Sequence, residues 1–124
     1  MSVLHLQPSR ELDAQVGLHL FGITYMLLYG DYLVQDPDDS IAYDSCPRYS
    51  TDMAAAFLIE EELQRRQLHE SYAARLLDLL FETRAWKILT RGPEDADLFA
   101  IAHAPPVYRC VAALQTLEHA ATQP

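Results

Sequence analysis

Residues 23–35 read ITYMLLYGDYLVQ, two runs of β-branched and aromatic residues broken by Gly30-Asp31. A Gly-Asp step between two such runs signals a two-residue hairpin, and a hairpin commits its strands to lie antiparallel and side by side. A second pair of runs has the same character. Arg84 to Thr90 (RAWKILT) and Asp97 to His103 (DLFAIAH) are separated by RGPEDA, whose Gly92-Pro93 breaks both. Local hairpins with helical segments between them predict an α+β fold, not a parallel βαβ series. The expected architecture is a small antiparallel or mixed sheet of about four strands, sandwiched by three to four helices. DLFAIA is apolar on both faces, which places it as a central strand covered on each side.

Four segments carry the 3.6-residue period of a helix. Ser9 suits the N-cap of the first, with Leu12, Val16 and Leu20 on one face, Glu11 and Asp13 favouring the dipole at its start, and Gly22 ending it. The second starts near Ser50 or Thr51, with Asp52 adding negative charge in the first turn; Met53, Ala56, Ile59 and Leu63 make its stripe, and Glu61–Arg65 and Glu62–Arg66 are i,i+4 pairs on the outer face. HESYAARLLDLLFE is a third helix, with Ala73, Leu76, Leu77 and Leu80 on one side. Pro105-Pro106 opens the last, whose core stripe is Val107, Cys110, Leu114 and Leu117. The segment DPDDSIAYDSCP is polar and turn-rich, and reads as a loop. At 124 residues, with no internal repeat, the chain is expected to form a single domain over 1–124.

The formal charge is −9, which argues against a surface that coats nucleic-acid backbone or anionic lipid. No apolar run approaches the length of a membrane span, and MSVLHLQPSRELD lacks the charged lead and small-residue cleavage site of a signal peptide. The expected location is cytoplasmic. Cys46 and Cys110 lie far apart with no CxxC spacing, so both are expected to be reduced thiols. Basic residues are eight Arg and one Lys, a bias toward the planar fork that recognises carboxylate and phosphate.

Two clusters are candidate binding sites. Arg48, Tyr49, Ser50, Thr51 and Asp52 stand at a predicted helix N-terminus, where free N–H groups can hold an anion; the structural alternative is that Ser50 caps, Tyr49 packs back and Arg48 is solvated. Arg84, Trp86, Lys87, Arg91, Tyr108 and Arg109 can bring aromatic faces and guanidiniums together near the sheet edge, suited to stacking a base and holding phosphate. The candidate ligand-binding residues are therefore Arg48, Tyr49, Ser50, Arg84, Trp86 and Arg109. DPDDS offers Asp36, Asp38 and Ser40 at alternate positions, but Ile41 and Pro47 stand where a calcium loop needs Gly and Glu. The His and Cys spacings match no zinc module. No GxSxG motif or glycine-rich phosphate loop is present. No metal, no cofactor and no catalytic residue is expected, and the chain is not read as an enzyme.

Three stretches together resemble the phage ABA-sandwich domain, a small family carried by bacteriophages and prophages. RELDAQVGLHLFG (Arg10 to Gly22) is similar to the family's opening helix, PRYSTDMAAAF (Pro47 to Phe57) to its "YSTD…AA" helix start, and APPVYRCVAALQTL (Ala104 to Leu117) to its closing helix. They cover about a third of the chain. Phe57 stands where the family often has Trp, and the helix around Ala73 to Phe81 is an addition. The resemblance implies a sheet layered with helices and a phage origin, and carries over no catalytic residue.

The function expected from these features is a small acidic, non-enzymatic binder made by a phage. It would act in the cytoplasm of the infected bacterium by occluding a host protein, such as an anti-phage defence or CRISPR component. Acidic faces suit targets that grip nucleic acid, so direct binding of nucleic acid or membrane is not expected. The alternative is a sponge that sequesters a nucleotide immune signalling molecule. A homodimer is expected through the tyrosine-rich hairpin (Tyr25, Tyr29, Tyr32), whose edge strand would be protected by pairing.

Overall fold

The computed structural model describes residues 7–34, 44–82 and 101–122. Helix α1, Arg10–Phe21, begins where the Ser9 hydroxyl accepts from the Leu12 N–H at 3.0 Å. It ends at Gly22, whose φ of 69° is the left-handed conformation that glycine adopts without a Cβ penalty. Leu12, Val16 and Leu20 face the core as their spacing requires. Strands β1 (Tyr25–Leu28) and β2 (Asp31–Val34) then pair antiparallel, Leu28 opposite Asp31 and Tyr25 opposite Val34.

The two-residue turn is Tyr29-Gly30, one position earlier than the Gly30-Asp31 step suggests. Both turn residues have positive φ, 53° and 80°, the combination of a type I′ turn. Asp31 is drawn into β2 because its carboxylate accepts from Arg10 Nε at 3.0 Å, from the Ser45 hydroxyl at 2.8 Å and from the Tyr32 N–H at 2.8 Å.

Helix α2 (Met53–Arg65) starts later than Ser50 or Thr51, since its cap is Asp52, whose Oδ1 accepts from the Ala54 N–H at 3.0 Å. Ala56, Ile59 and Leu63 are buried along it. On its outer side Glu62 takes both Arg65 and Arg66, so the expected Glu61–Arg65 pair is replaced by an i,i+3 contact to the neighbouring glutamate. Arg66 also donates to the Leu20 carbonyl at the end of α1. Helix α3, His69–Glu82, buries Tyr72, Leu76, Leu79 and Leu80.

Helix α4, Pro106–Thr122, is the axis of the fold. It packs against α1, α2 and α3, and Val107, Arg109, Cys110, Val111, Ala112, Ala113 and Thr116 are all buried. A helix covered this far round its circumference occupies the centre of a core, and small side chains at Cys110, Ala112 and Ala113 let three neighbours approach it. Each fully buried Leu, Ile or Val around it contributes about 1.5–3 kcal/mol.

The sheet expectation is corrected here. Among the described residues the sheet has two strands, extended only by an isolated bridge from Leu33 to Ser45. Ile101 and Ala102 are helical and His103 is in a turn, so the expected central strand does not run to His103. The expected strand Arg84 to Thr90, the rest of DLFAIAH before Ile101, and the DPDDS stretch lie outside the described residues. The described residues are therefore α+β, with α4 at the centre of their core.

Candidate functional site

The Pro47–Asp52 stretch is held from behind by α1. The Asp13 carboxylate, only 1% exposed, accepts from the Ser50 N–H at 2.7 Å through one oxygen and from Arg10 at 2.6 Å through the other. Ser50 Oγ accepts from the Ser9 N–H at 3.2 Å and donates to the Ser9 carbonyl at 3.3 Å. Arg10 is the hub of this cluster. Its guanidinium reaches Asp13, Asp31, Ser45 Oγ at 2.9 Å, the Cys46 carbonyl at 2.6 Å and the Pro47 carbonyl at 3.5 Å. One side chain thus ties α1, the hairpin and the approach to α2.

These bonds decide what the stretch can bind. The Ser50 N–H is given to Asp13, the Thr51 and Asp52 N–H groups to the Arg48 carbonyl, and the Ala54 N–H to Asp52. These four donors are taken by the chain's own acceptors, two of them carboxylates. Ser50 is buried as a structural tie, and Tyr49 is buried with its ring stacked on Phe21, centroids 5.5 Å apart and planes 12° from parallel. Of the three candidates in this stretch, only Arg48 is exposed.

Arg109 is 2% exposed. Its Nε donates to the Ala104 carbonyl at 3.0 Å, one terminal nitrogen to the Ile101 and Ala102 carbonyls at 2.8 and 3.1 Å, and the other to Glu60. Tyr72 donates to the same Glu60 oxygen at 2.6 Å, and the Phe57 ring lies 5.4 Å from the guanidinium carbon. A group with this many internal partners holds α2, α3, α4 and the turn before α4 together. The phosphate contact that a nucleotide-sequestering role would ask of Arg109 is replaced by these four protein acceptors. Arg84 and Trp86 lie outside the described residues; among the described ones Arg109 meets Glu60 and Phe57, with Tyr72 on the same Glu60 oxygen.

A groove with an apolar floor opens on the described surface. It is open to solvent, about 410 Å³, and is lined by the stacked Phe21 and Tyr49, Ile23 and Leu58, with Glu61, Glu62 and Arg65 on the rim. Leu58 is half exposed. Hydrogen bonds from Arg65 and Arg66 hold the Glu62 carboxyl down at about 2, while Glu61 makes no ion pair among the described residues. Burial pushes the Tyr49 phenol up to about 12 and raises both the Cys46 and Cys110 thiols, so all three are neutral near pH 7. Neutral thiols in apolar surroundings are poor nucleophiles. Among the described residues no group of three His, Cys, Asp or Glu side chains is arranged to hold a metal ion, and no helix is long and apolar enough to cross a membrane.

Sequence reasoning singled out Tyr49 but not the groove it floors, since Phe21, Ile23 and Leu58 come from separate segments. It also missed Asp13 as a buried group. The signal was present, because Asp13 precedes Val16 and Leu20 by three and seven residues and so shares their stripe. Glu60 and Tyr72 carried no such mark. The chain matches no protein-family model, no curated protein and no solved structure.

Proposed function

We infer that this chain is a small acidic, non-enzymatic binding protein of phage origin that occludes a host protein in the infected bacterium, an anti-phage defence or CRISPR component being the kind of target that fits. The observation that carries this reading is the open groove of Phe21, Ile23, Tyr49 and Leu58, rimmed by Glu61, Glu62 and Arg65, on a body of net charge −9. Such a surface suits an apolar side chain from a cationic protein that grips nucleic acid, with long-range attraction speeding encounter. The phage origin rests on the three ABA-sandwich-like motifs. Contacts between the first two support reading those motifs as a fold fingerprint, since Arg10 and Asp13 bond Pro47 and Ser50, and Phe21 stacks on Tyr49.

The test is expression of the chain in bacteria carrying individual defence or CRISPR systems, challenged with a phage that each system restricts. Restored plaquing against one system, lost in Leu58→Asp while the protein keeps its thermal midpoint, is the expected result. Unchanged restriction across the systems, with no complex between the chain and their purified nucleic-acid-binding components, would overturn the reading.

A further inference from the structure

The hairpin has two edges, and they differ. In the outer register of β2, the Val34 N–H donates to the Asp44 carbonyl and the Cys46 N–H to the Tyr32 carbonyl, both at 2.8 Å. Tyr32 and Val34 therefore turn their backbone groups away from β1, and Asp31 and Leu33 turn theirs toward Leu28 and Met26, their register partners. Because the pattern alternates along an antiparallel strand, Tyr25 and Leu27 present their N–H and C=O groups on the far edge of β1. Among the described residues nothing pairs with that edge through the backbone. Along it Leu27 is 62% exposed, Tyr29 98% and Met26 38%.

We propose that two copies of this chain join along this far edge of β1, antiparallel about a two-fold axis at Met26, to form a continuous four-stranded sheet across the dimer. The edge is self-complementary. With Met26 facing Met26 of the second copy, Tyr25 falls opposite the second copy's Leu27 and Leu27 opposite its Tyr25, so each outward N–H and C=O meets its counterpart. Side chains follow, since cross-strand neighbours share a face, and each exposed Leu27 comes to lie beside Tyr25 of the second copy. Charge selects the occupant. The segment from Ile23 to Gly30 carries no charged residue, and Asp31 beside it is neutralised by Arg10. A neutral strip is where two bodies of charge −9 can meet with least repulsion, and it offers nothing to attract a cationic partner. An unpaired apolar edge is also the feature that folded proteins cover.

This pairing stands apart from the host-binding proposal and is tested on the purified chain alone, by light scattering over a concentration series together with cysteine cross-linking. The expected mass is twice that of the chain, falling twofold in Leu27→Lys, whose helical circular dichroism and thermal midpoint stay those of the parent. Under mild oxidation Met26→Cys should cross-link the two copies, because Cα atoms in a directly opposed, non-hydrogen-bonded pair lie about 4.5 Å apart, within disulfide reach. Leu27→Cys should not, its two copies being offset to about 8 Å. A monomer at the highest soluble concentration overturns the proposal. So does a dimer that survives Leu27→Lys, or one that cross-links through Leu27→Cys in preference to Met26→Cys.

Discussion

At the scale of single residues, what separates a site from a scaffold is where the donors go. Arg48 and Arg109 look alike in the sequence, both next to aromatic or helix-start features, yet one is exposed and the other has four internal acceptors. Arg109→Ala should therefore cost about 3 kcal/mol by leaving Glu60 and three carbonyls without their partner, whereas Arg48→Ala should stay within about 0.5 kcal/mol; urea unfolding of the two variants measures the difference. The acidic residues divide in the same way. Asp13→Ala strands the buried Ser50 N–H and one side of Arg10 and should cost about 2–4 kcal/mol. Asp52→Ala removes an exposed cap and should cost about 1 kcal/mol. The reverse order in a chemical denaturation series would refute the structural role given to Asp13. Buried polar groups were the least legible part of this chain, because an Arg or Asp is marked as internal only by its neighbours in space.

Secondary elements whose signals are local were legible, and those that depend on remote pairing were not. Ser9, Gly22 and the Pro105-Pro106 step fix helix ends through bonds within a few residues. The apolar stripe of α2 follows from period alone, while that of α3 is turned from the expected one, with Tyr72 and Leu79 buried and Ala73 and Leu77 only partly so. The end of DLFAIA differs for a physical reason: a short run that is apolar on every side fits a buried helix turn as well as a buried strand, and Ile101 and Ala102 took the helical form. The hairpin was legible, its turn only to within a residue, because the Arg10–Asp31 bond that sets the register crosses 21 positions. Docking of the hairpin on α1 depends on Gly17. A Cβ there would lie 2.4 Å from Tyr25 Cε2 and 2.7 Å from its hydroxyl, and that hydroxyl is buried beside the Cys46 thiol. Gly17→Ala should cost about 1–3 kcal/mol through this overlap. Gly17→Ala combined with Tyr25→Ala should lose less than the sum of the two single changes, which a thermal double-mutant cycle reads directly.

For the whole molecule, the perturbed groups set a stability window in pH. Hydrogen bonds from Arg65 and Arg66 lower Glu62 from its ordinary 4.5 to about 2, and those from Ser45, the Tyr32 N–H and Arg10 lower Asp31. Their share of stability is complete above the unfolded values and is lost as pH falls through the folded ones. Burial raises Cys110 above its ordinary 9.0 and Tyr49 from 10.0 to about 12; their share is complete below those ordinary values and is lost as pH rises. The urea midpoint should be flat between about pH 5 and 9 and fall on both sides, with Glu62→Gln showing a shallower acid limb. A midpoint that climbs steadily from pH 5 to pH 3 would contradict this. The bond from the Val34 N–H to the Asp44 carbonyl, 2.8 Å long, has a practical side. It brings the exit of β2 and the return of the chain to the same point, so whatever is spliced between them begins and ends in one place. The Val34–Asp44 pair is therefore a natural port for an epitope tag or a fluorescent reporter.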